Sequence, residues 1–261
     1  MTVAKDVLAD VAEAVRANGW ARLPGAVDRA AIDQLRAGIS ALVQGVAPDG
    51  RCLYFYESLS GDRRVTRVER VWEAIPSLAG GDLGRLLEQA AEACLGGQVC
   101  LFKDKVNVRW PASAGYAPHQ DTAAGWEEFA PTFVSLVLFL DGSDSESGGF
   151  EVVTGRHREG RFENARGEMS LPMFEGMSPQ PVGCGAGDVL LLDGGAPHRT
   201  SPNTTQACIT HLIVSFNARS AGDHRSSYYA AKVRDFASGR ISPNQFVFRV
   251  FEFGPKAKPG G

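Results

Sequence analysis

Apolar side chains recur at helical spacing through the first ninety-odd residues of the chain. Gly19 and the pair Gly96-Gly97 are suited to end two of these stretches, and Asp28 is suited to cap the start of another. A short apolar run between the first two stretches favours a strand. We therefore predict a mainly helical N-terminal part over about residues 1–97, with helices at 6–18, 28–43 and 83–94 and a strand at 20–23.

From about residue 98 the pattern changes to alternation with period two, which is typical of strands. Several short strands with no helical pattern between them predict an antiparallel barrel or jelly roll over about 98–218. Helical spacing then returns, so we predict a C-terminal helical segment over about 223–250. The fold class expected is mainly β (α+β), with strands at 100–110, 133–140, 150–153, 189–192 and 209–216.

The strand at 100–110 alternates most clearly and separates polar from apolar side chains. The pattern alone does not tell which face of this strand looks toward the inside of the barrel. One face is expected to carry Lys103, Lys105, Asn107 and Arg109, and the other Phe102, Val106 and Val108.

Length and composition narrow the class of protein. With 261 residues, of which 44% are hydrophobic, the chain can bury a large core, and we expect one domain over residues 1–261. A net charge of −3 without a basic stripe argues against nucleic acid as a partner, and no apolar run approaches the ~20 residues that span a bilayer. The five cysteines include no C-x-x-C pair and are expected to be reduced thiols in a cytoplasmic protein.

One cluster of polar residues predicts chemistry. His119 and Asp121 are separated by one residue, and on a strand two such side chains point to the same face. A second histidine, His198, follows a short apolar run and a Gly-rich turn. Two imidazoles and one carboxylate can cap a divalent metal while leaving three positions open, as in non-haem Fe(II) oxygenases. His-x-Asp also arises by chance among surface residues, so the prediction of a metal site depends on the sequence around these residues.

Those surroundings resemble a known family. Six blocks in the right order, within about residues 55–235, are similar to the phytanoyl-CoA dioxygenase family: LFKDKVN at 101–107, APHQD at 117–121, GGFEVVTGRH at 148–157, GDVL at 187–190, PHRTSPN at 197–203, and GDHR with YYAAK at 222–232.

The resemblance implies a double-stranded β-helix with flanking helices. It implies Fe(II) held by His119, Asp121 and His198, with 2-oxoglutarate and O2 as cosubstrates. It further implies oxidation, most often hydroxylation, of a small-molecule substrate, for which the metal supplies the chemistry and the protein supplies ligands and orientation. The pattern carries no signal for the oligomeric state or the identity of the substrate.

The chain departs from the family at one position that matters. The family carries an arginine eleven residues after the distal histidine, where it forms a salt bridge with the far carboxylate of 2-oxoglutarate. Counting from His198 gives Ile209, which cannot pair with an anion. A buried carboxylate without a partner would cost several kcal/mol.

Several outcomes are open at this position. Another basic residue could replace the arginine, and the candidates are His211, Arg67 and the polar face of the strand at 100–110. The cosubstrate could be a less acidic 2-oxo acid, or the enzyme could be an Fe(II) oxidase that needs no keto acid. A non-catalytic ligand-binding barrel is the remaining alternative.

Further site residues are expected around the triad. Asn107, Tyr116 and Thr200 are candidates for binding the cosubstrate, together with Arg67 and His211. Lys105, Trp126 and Phe129 are candidates for binding the substrate, the two aromatic residues because they follow the His-x-Asp motif in a loop. For each of these residues a purely structural role is the competing interpretation.

Overall fold

The computed structural model describes residues 3–44, 52–59, 62–165, 167–238 and 250–253. Five helices lie in these ranges: α1 (Lys5–Asn18), α2 (Arg29–Val43), α3 (Asp82–Leu95), α4 (Leu171–Gly176) and α5 (Arg225–Ala237). Eleven strands are described: β1 (Trp20–Leu23), β2 (Leu53–Leu59), β3 (Asp62–Glu69), β4 (Val99–Arg109), β5 (Phe133–Phe139), β6 (Phe150–Val152), β7 (Gln180–Val182), β8 (Val189–Asp193), β9 (His198–Thr200), β10 (Ile209–Ala218) and β11 (Val250–Phe253).

The strands form two antiparallel sheets, with an apolar cluster between them. The large sheet has eight strands in the order β1-β8-β5-β10-β4-β3-β2-β11, and the small sheet has the order β7-β6-β9. Apolar side chains of the two sheets pack together, with Phe139 and Leu190 of the large sheet against Phe150 and Val182 of the small one. The mainly β, jelly-roll fold predicted from the sequence is confirmed.

Helices cover the other face of the large sheet and form the largest apolar cluster. Leu87 of α3 and Leu35 of α2 are buried in the same cluster as Val106 of β4 and Leu136 of β5. The predicted boundaries have local causes: Gly19 ends α1 in a left-handed conformation, and the carboxylate of Asp28 accepts a hydrogen bond from the first turn of α2.

The N-terminal part contains the hairpin β2–β3, which was not predicted, in addition to the three predicted helices. This hairpin joins the large sheet through β3, where Arg67 pairs in register with Asn107 of β4. The run at 52–55 is buried at consecutive positions rather than alternate ones, so it lacks the period-two signature of a half-buried strand. Strands from the N-terminal part and from the core therefore share one sheet, and the single domain over residues 1–261 stays a prediction.

The C-terminal segment is also only partly helical. Helix α5 ends at Ala237, and β11 pairs antiparallel with β2 instead of continuing a helix to residue 250. Residues 239–249, which the predicted segment includes, lie outside the described residues. The partner of β11 is β2, near the other end of the chain, so no local pattern indicates this strand. For that reason the helical spacing before it was taken to continue to residue 250.

A bulge in β4 corrects the expected distribution of its side chains. The register between β10 and β4 shifts after Ser215 and Lys103, so Phe102 is an extra residue in the ladder. The ring of Phe102 therefore packs with Trp126 and Tyr228, at centroid distances of 5.2 and 4.6 Å, and not with Val106 and Val108 as predicted.

Two further observations bear on the class of protein. Within the described ranges, no helix combines the length and the apolar character needed to cross a bilayer. The five cysteines all lie in the described residues, and no disulfide joins any two of them. A cytoplasmic location stays a prediction.

Candidate metal centre

The three predicted metal ligands converge. Suitable atoms of His119, Asp121 and His198 all lie within 4.8 Å of one another, and His119 Nε2 is 3.8 Å from Asp121 Oδ1. His119 and His198 exchange two backbone hydrogen bonds of 2.9 Å, which places the two imidazoles side by side with ring centroids 4.3 Å apart. Donors this close can share one divalent ion.

The local structure that produces this convergence differs from the predicted strand. His119 forms a single β-bridge to His198, and the backbone of Asp121 is already helical, at the start of a 3-10 turn over Thr122–Ala124. The carboxylate therefore reaches the site because the chain turns after His119, and not because residues alternate along a strand.

Backbone carbonyls fix the orientation of both imidazoles. His119 Nδ1 donates to the carbonyl of Ala117 at 2.7 Å, and His198 Nδ1 donates to the carbonyl of Ala196 at 3.0 Å. Because a carbonyl oxygen only accepts, Nδ1 carries the proton in each ring and Nε2 offers its lone pair to the shared site. Burial and the neighbouring His198 lower the pKa of His119 to about 3, so its ring is neutral and able to ligate at pH 7.

Two serines hold the carboxylate. Ser135 Oγ donates to Asp121 Oδ2 at 2.6 Å and lies 2.8 Å from Ser215 Oγ, with which it pairs directly across β5 and β10. Burial alone would raise the pKa of Asp121, but His198, Lys105 and the Ser135 hydroxyl outweigh it and lower that pKa to about 2. The third ligand is therefore an anion whose second oxygen is already bound by the protein.

A cavity of about 130 Å³ opens beside the triad. Its walls come from β3, β4, β9 and β10 and from the loop around residue 120. The polar face of β4 looks into this cavity, which the sequence pattern had left open. The lining includes most of the predicted site residues: Arg67, Lys105, Asn107, Tyr116, Trp126 and Thr200, together with Lys103, Gln120, Phe150, Glu168 and Ile213.

Two polar side chains of the lining, Asn107 and Thr200, have hydrogen-bonding capacity left for a ligand. Buried Asn107 Oδ1 has no hydrogen-bond partner among the residues that the structure describes. Thr200 Oγ1 accepts from the backbone nitrogen of Tyr116 at 2.9 Å and from Arg109 Nη1 at 3.2 Å. Because both contacts use the oxygen as acceptor, the hydroxyl proton of Thr200 remains available for a ligand.

The cations that could replace the expected arginine differ in whether their side chains already have hydrogen-bond partners. Arg109 lies directly opposite Ile209 in the register of β10 and β4, but its guanidinium donates to Thr200 and to the carbonyls of Ala114 and Ser201. Lys105 lines the cavity and has neither an ion pair nor a hydrogen bond within the described part of the chain, and its ammonium lies 5.9 Å from the ring of Tyr116.

His211 does not supply a cation. Its ring packs between Phe139 and Phe150, at centroid distances of 4.7 and 6.0 Å. Burial, and secondarily Arg109, lowers the pKa of His211 to about 3, so the ring is neutral at pH 7. His211 is not part of the cavity wall, and it lies behind Phe150 as a buried core residue.

The two predicted aromatic residues are placed differently. Trp126 is buried, lines the metal cavity, and packs on Phe102 and Phe133. Phe129 lines an adjoining cavity beside α5 and is not part of the metal cavity wall.

Sequence reasoning missed several residues of the site. Ser135 and Ser215 lie in apolar strands, where a lone serine carries no signal until the strands are paired. Glu69 and Lys232 form an ion pair across 163 positions of the chain. The basic run around Arg67 marked this part of β3, but nothing in it indicated a buried carboxylate as its neighbour.

Comparison with known proteins identifies the family of this chain. Residues 15–209 match the model of the phytanoyl-CoA dioxygenase family, so the chain belongs to that family. It is 29% identical over 225 residues to a methylphosphonate hydroxylase from Gimesia maris (strain ATCC 29201 / DSM 8797 / 534-30), covering 84% of each chain. It is 25% identical over 222 residues to a 2-aminoethylphosphonate dioxygenase from Uncultured bacterium HF130_AEPn_1, covering 84% of this chain and 85% of that protein.

A solved structure supports the fold assignment. The crystal structure of EctD from S. alaskensis with 2-oxoglutarate and 5-hydroxyectoine superposes with a TM-score of 0.69 at 17% identity, over 84% of this chain and 80% of that one. The chain is thus an oxygenase of the phytanoyl-CoA dioxygenase family, and its His-Asp-His donor set suits Fe(II), as the sequence predicted.

Proposed function

We propose that this enzyme uses Fe(II), 2-oxoglutarate and O2 to hydroxylate a small organic acid, with an organophosphonate as the favoured class. One observation carries the proposal: three converging ligands open onto a cavity whose lining holds three cations, Arg67, Lys103 and Lys105. Bound to the triad, iron with 2-oxoglutarate supplies the oxidising power for a C–H bond. The protein's own residues hold the metal, bind the acids and orient the reacting carbon.

Lys105 is the best candidate for binding the far carboxylate of 2-oxoglutarate in place of the family's arginine. Burial, together with Lys103 and Arg67, holds the pKa of Lys105 well below its usual range, so an anion beside it would relieve an unfavourable charge. The hydroxyl of Thr200 and the amide nitrogen of Asn107 line the same cavity and can donate hydrogen bonds to a carboxylate.

Two of the similar proteins support an acidic substrate. Their names give methylphosphonate and 2-aminoethylphosphonate as substrates, and both carry a phosphonate group on a small carbon skeleton. A cavity of about 130 Å³ is suited to molecules of this size. The three cations of its lining outnumber the two carboxylates, Asp121 and Glu168, which fits an acidic substrate better than a neutral one.

The proposal is tested by anaerobic Fe(II) titration followed by 2-oxoglutarate, and then by turnover with methylphosphonate in air. We expect a weak visible charge-transfer band in the first step and succinate formation in the second. Asp121→Ala should lose both because it removes the only anionic ligand of the triad. Asp33→Ala, which alters an exposed carboxylate on α2, is the matched control and should keep both.

Ile209 gives a specific reason to keep one alternative, an Fe(II) oxidase that draws its electrons from the substrate alone. That enzyme would bind iron and consume oxygen when substrate is added, yet form no charge-transfer band and no succinate. This outcome would remove 2-oxoglutarate from the proposed function and leave the iron site intact.

A further inference from the structure

A fully buried carboxylate in β3 contacts three cations from three elements. Glu69 Oε2 lies 2.5 Å from Lys232 Nζ of α5, and its Oε1 lies 3.4 Å from Arg67 Nη1 and 3.9 Å from Lys103 Nζ of β4. Lys103 and Arg67 are each only 8% exposed, and Glu69 is 0% exposed. The charge of this cluster is therefore held away from bulk water.

The Glu69 cluster, meaning Glu69 with Arg67, Lys103 and Lys232, lies at a second cavity that adjoins the metal cavity. This second cavity, of about 200 Å³, is enclosed between the large sheet and α5. Arg67 and Lys103 line both cavities, and Ala124 lies at the wall between them. A molecule held here by one end can therefore extend its other end toward the triad.

The charges of the cluster do not balance. Three cations and one carboxylate leave a net charge of +2 when all four groups are ionised. Burial lowers the pKa of Lys232 to about 7 in spite of the contact with Glu69, which shows that its positive charge is costly in this place. Glu69 lies behind the cavity wall, and the carboxylates in the wall itself are Glu128, which is exposed, and Asp235, which is partly exposed.

Aromatic rings surround the lysines. Lys232 Nζ lies 5.3 Å from the ring of Phe55 and 5.8 Å from that of Tyr228, and Lys103 Nζ lies 5.3 Å from the ring of Trp126. Rings at these distances favour cations but leave hydrogen-bond donors of the ammonium groups available. The arrangement matches the needs of a compact polyanion with several acceptor oxygens.

We infer that the Glu69 cluster binds the acid group of the substrate as a tetrahedral dianion, a phosphonate or a phosphate ester, with Lys232 of α5 selecting for the second negative charge. The inference rests on the proposed function, since it takes the metal cavity as the place of oxidation. A singly charged planar carboxylate would bring half as much negative charge to the three cations and would offer one fewer acceptor oxygen. Glu69 keeps the three cations together before the substrate arrives.

The test measures binding of methylphosphonate, inorganic phosphate and acetate to the purified protein by isothermal titration calorimetry, without iron or 2-oxoglutarate. We expect methylphosphonate to bind at least tenfold more tightly than acetate. In Lys232→Met its affinity should fall at least tenfold. The same substitution at exposed Lys5 of α1 is the matched control and should leave the affinity unchanged. Lys103→Met serves as a second variant, and circular dichroism verifies that each variant is folded.

The outcomes separate the two proposals. Wild-type affinity for methylphosphonate in both folded lysine variants, or equal affinity for acetate, would overturn the inference. Inorganic phosphate binding with the same dependence on Lys232, but more tightly than methylphosphonate, would assign the site to free phosphate and also overturn it. The Fe(II)–2-oxoglutarate band should persist in Lys232→Met. If the wild type shows no such band but binds methylphosphonate in a lysine-dependent way, 2-oxoglutarate is not the cosubstrate. The inferred anion site would still stand.

Discussion

Ser135 Oγ donates a 2.6 Å hydrogen bond to Asp121 Oδ2, the carboxylate oxygen that does not face His119. This bond fixes which oxygen of the carboxylate is available to a metal. The serine is itself oriented by Ser215, 2.8 Å away on the neighbouring strand. The metal centre is therefore built on rigid strands of the large sheet, although two of its ligands lie in a loop.

Ser135→Ala is expected to weaken Fe(II) binding by about 10–100-fold, the usual effect of removing an outer hydrogen-bond partner of a ligand. Ser215→Ala should have a smaller effect because Ser215 reaches the carboxylate only through Ser135. Anaerobic Fe(II) titration measures both variants. Equal affinities of wild type and Ser135→Ala would show that the hydrogen bond does not position Asp121.

Lys105→Met is expected to weaken 2-oxoglutarate binding about 30-fold or more, since losing one member of a buried charge pair costs about 2 kcal/mol or more. The affinity of the folded variant for Fe(II) should change little. The measurement is the 2-oxoglutarate dependence of the anaerobic charge-transfer band, with Lys5→Met as the matched control.

Ile209→Arg tests the same assignment from the opposite direction. In the Lys105→Met background, an arginine at the family's position should restore part of the lost 2-oxoglutarate affinity. Ile209 lies opposite Arg109, so the new guanidinium would be close to a second cation and full recovery is not expected. If the double variant binds 2-oxoglutarate no better than Lys105→Met, the cosubstrate does not extend toward this end of β10.

Glu69→Gln is expected to lower the free energy of unfolding by about 3–5 kcal/mol at pH 7, because it leaves buried cations without their carboxylate. Burial alone would raise the pKa of Glu69, but Lys232, Lys103 and Arg67 hold it well below its ordinary value of 4.5. The stabilisation is therefore complete above pH 4.5 and is lost as the pH falls below it.

The difference in stability between wild type and Glu69→Gln should accordingly shrink as the pH is lowered from about 5 to 2. Urea unfolding at a series of pH values measures it. A difference that stays constant over this range would mean that the pKa of Glu69 is the same in the folded and the unfolded protein.

Gly115→Ala is expected to destabilise the fold by about 1–3 kcal/mol and to disturb the cavity wall. A Cβ atom at Gly115 would lie 2.1 Å from the carbonyl oxygen of Thr200, so one of the two backbones has to move. Gly97→Ala is the matched control: a Cβ there meets nothing within 4 Å, and a change within about 0.5 kcal/mol is expected. Thermal unfolding compares the two variants.

Much of the fold and the three metal ligands could be predicted from the sequence, because their signals are local. Period-two alternation marked β4, continuous apolar runs marked β5 and β8, and His119 with Asp121 and His198 stood out by residue type. The bulge at Phe102 could not be predicted, because it depends on how β4 pairs with β10. The hairpin β2–β3 was missed because it lies between stretches with helical spacing, within a part predicted as mainly helical.

The rest of the site depends on contacts between distant parts of the chain. Ser135 and Ser215 meet only through strand pairing, and Glu69 meets Lys232 only because α5 packs over the sheet. Conversely, His211 was a reasonable cation by its spacing from Ile209, but burial, and secondarily Arg109, lowers its pKa so that the ring is neutral. Periodicity gives the direction of a side chain and does not give its neighbours.

The position of α5 in the chain has a consequence for how such enzymes diversify. The family match ends at residue 209, whereas Lys232 lies beyond it on a helix that packs over the second cavity. The three iron ligands lie between residues 119 and 198, whereas the C-terminal helix supplies one cation of the Glu69 cluster, Lys232. A change confined to that helix would therefore alter the charge offered to a bound acid and leave the metal ligands in place.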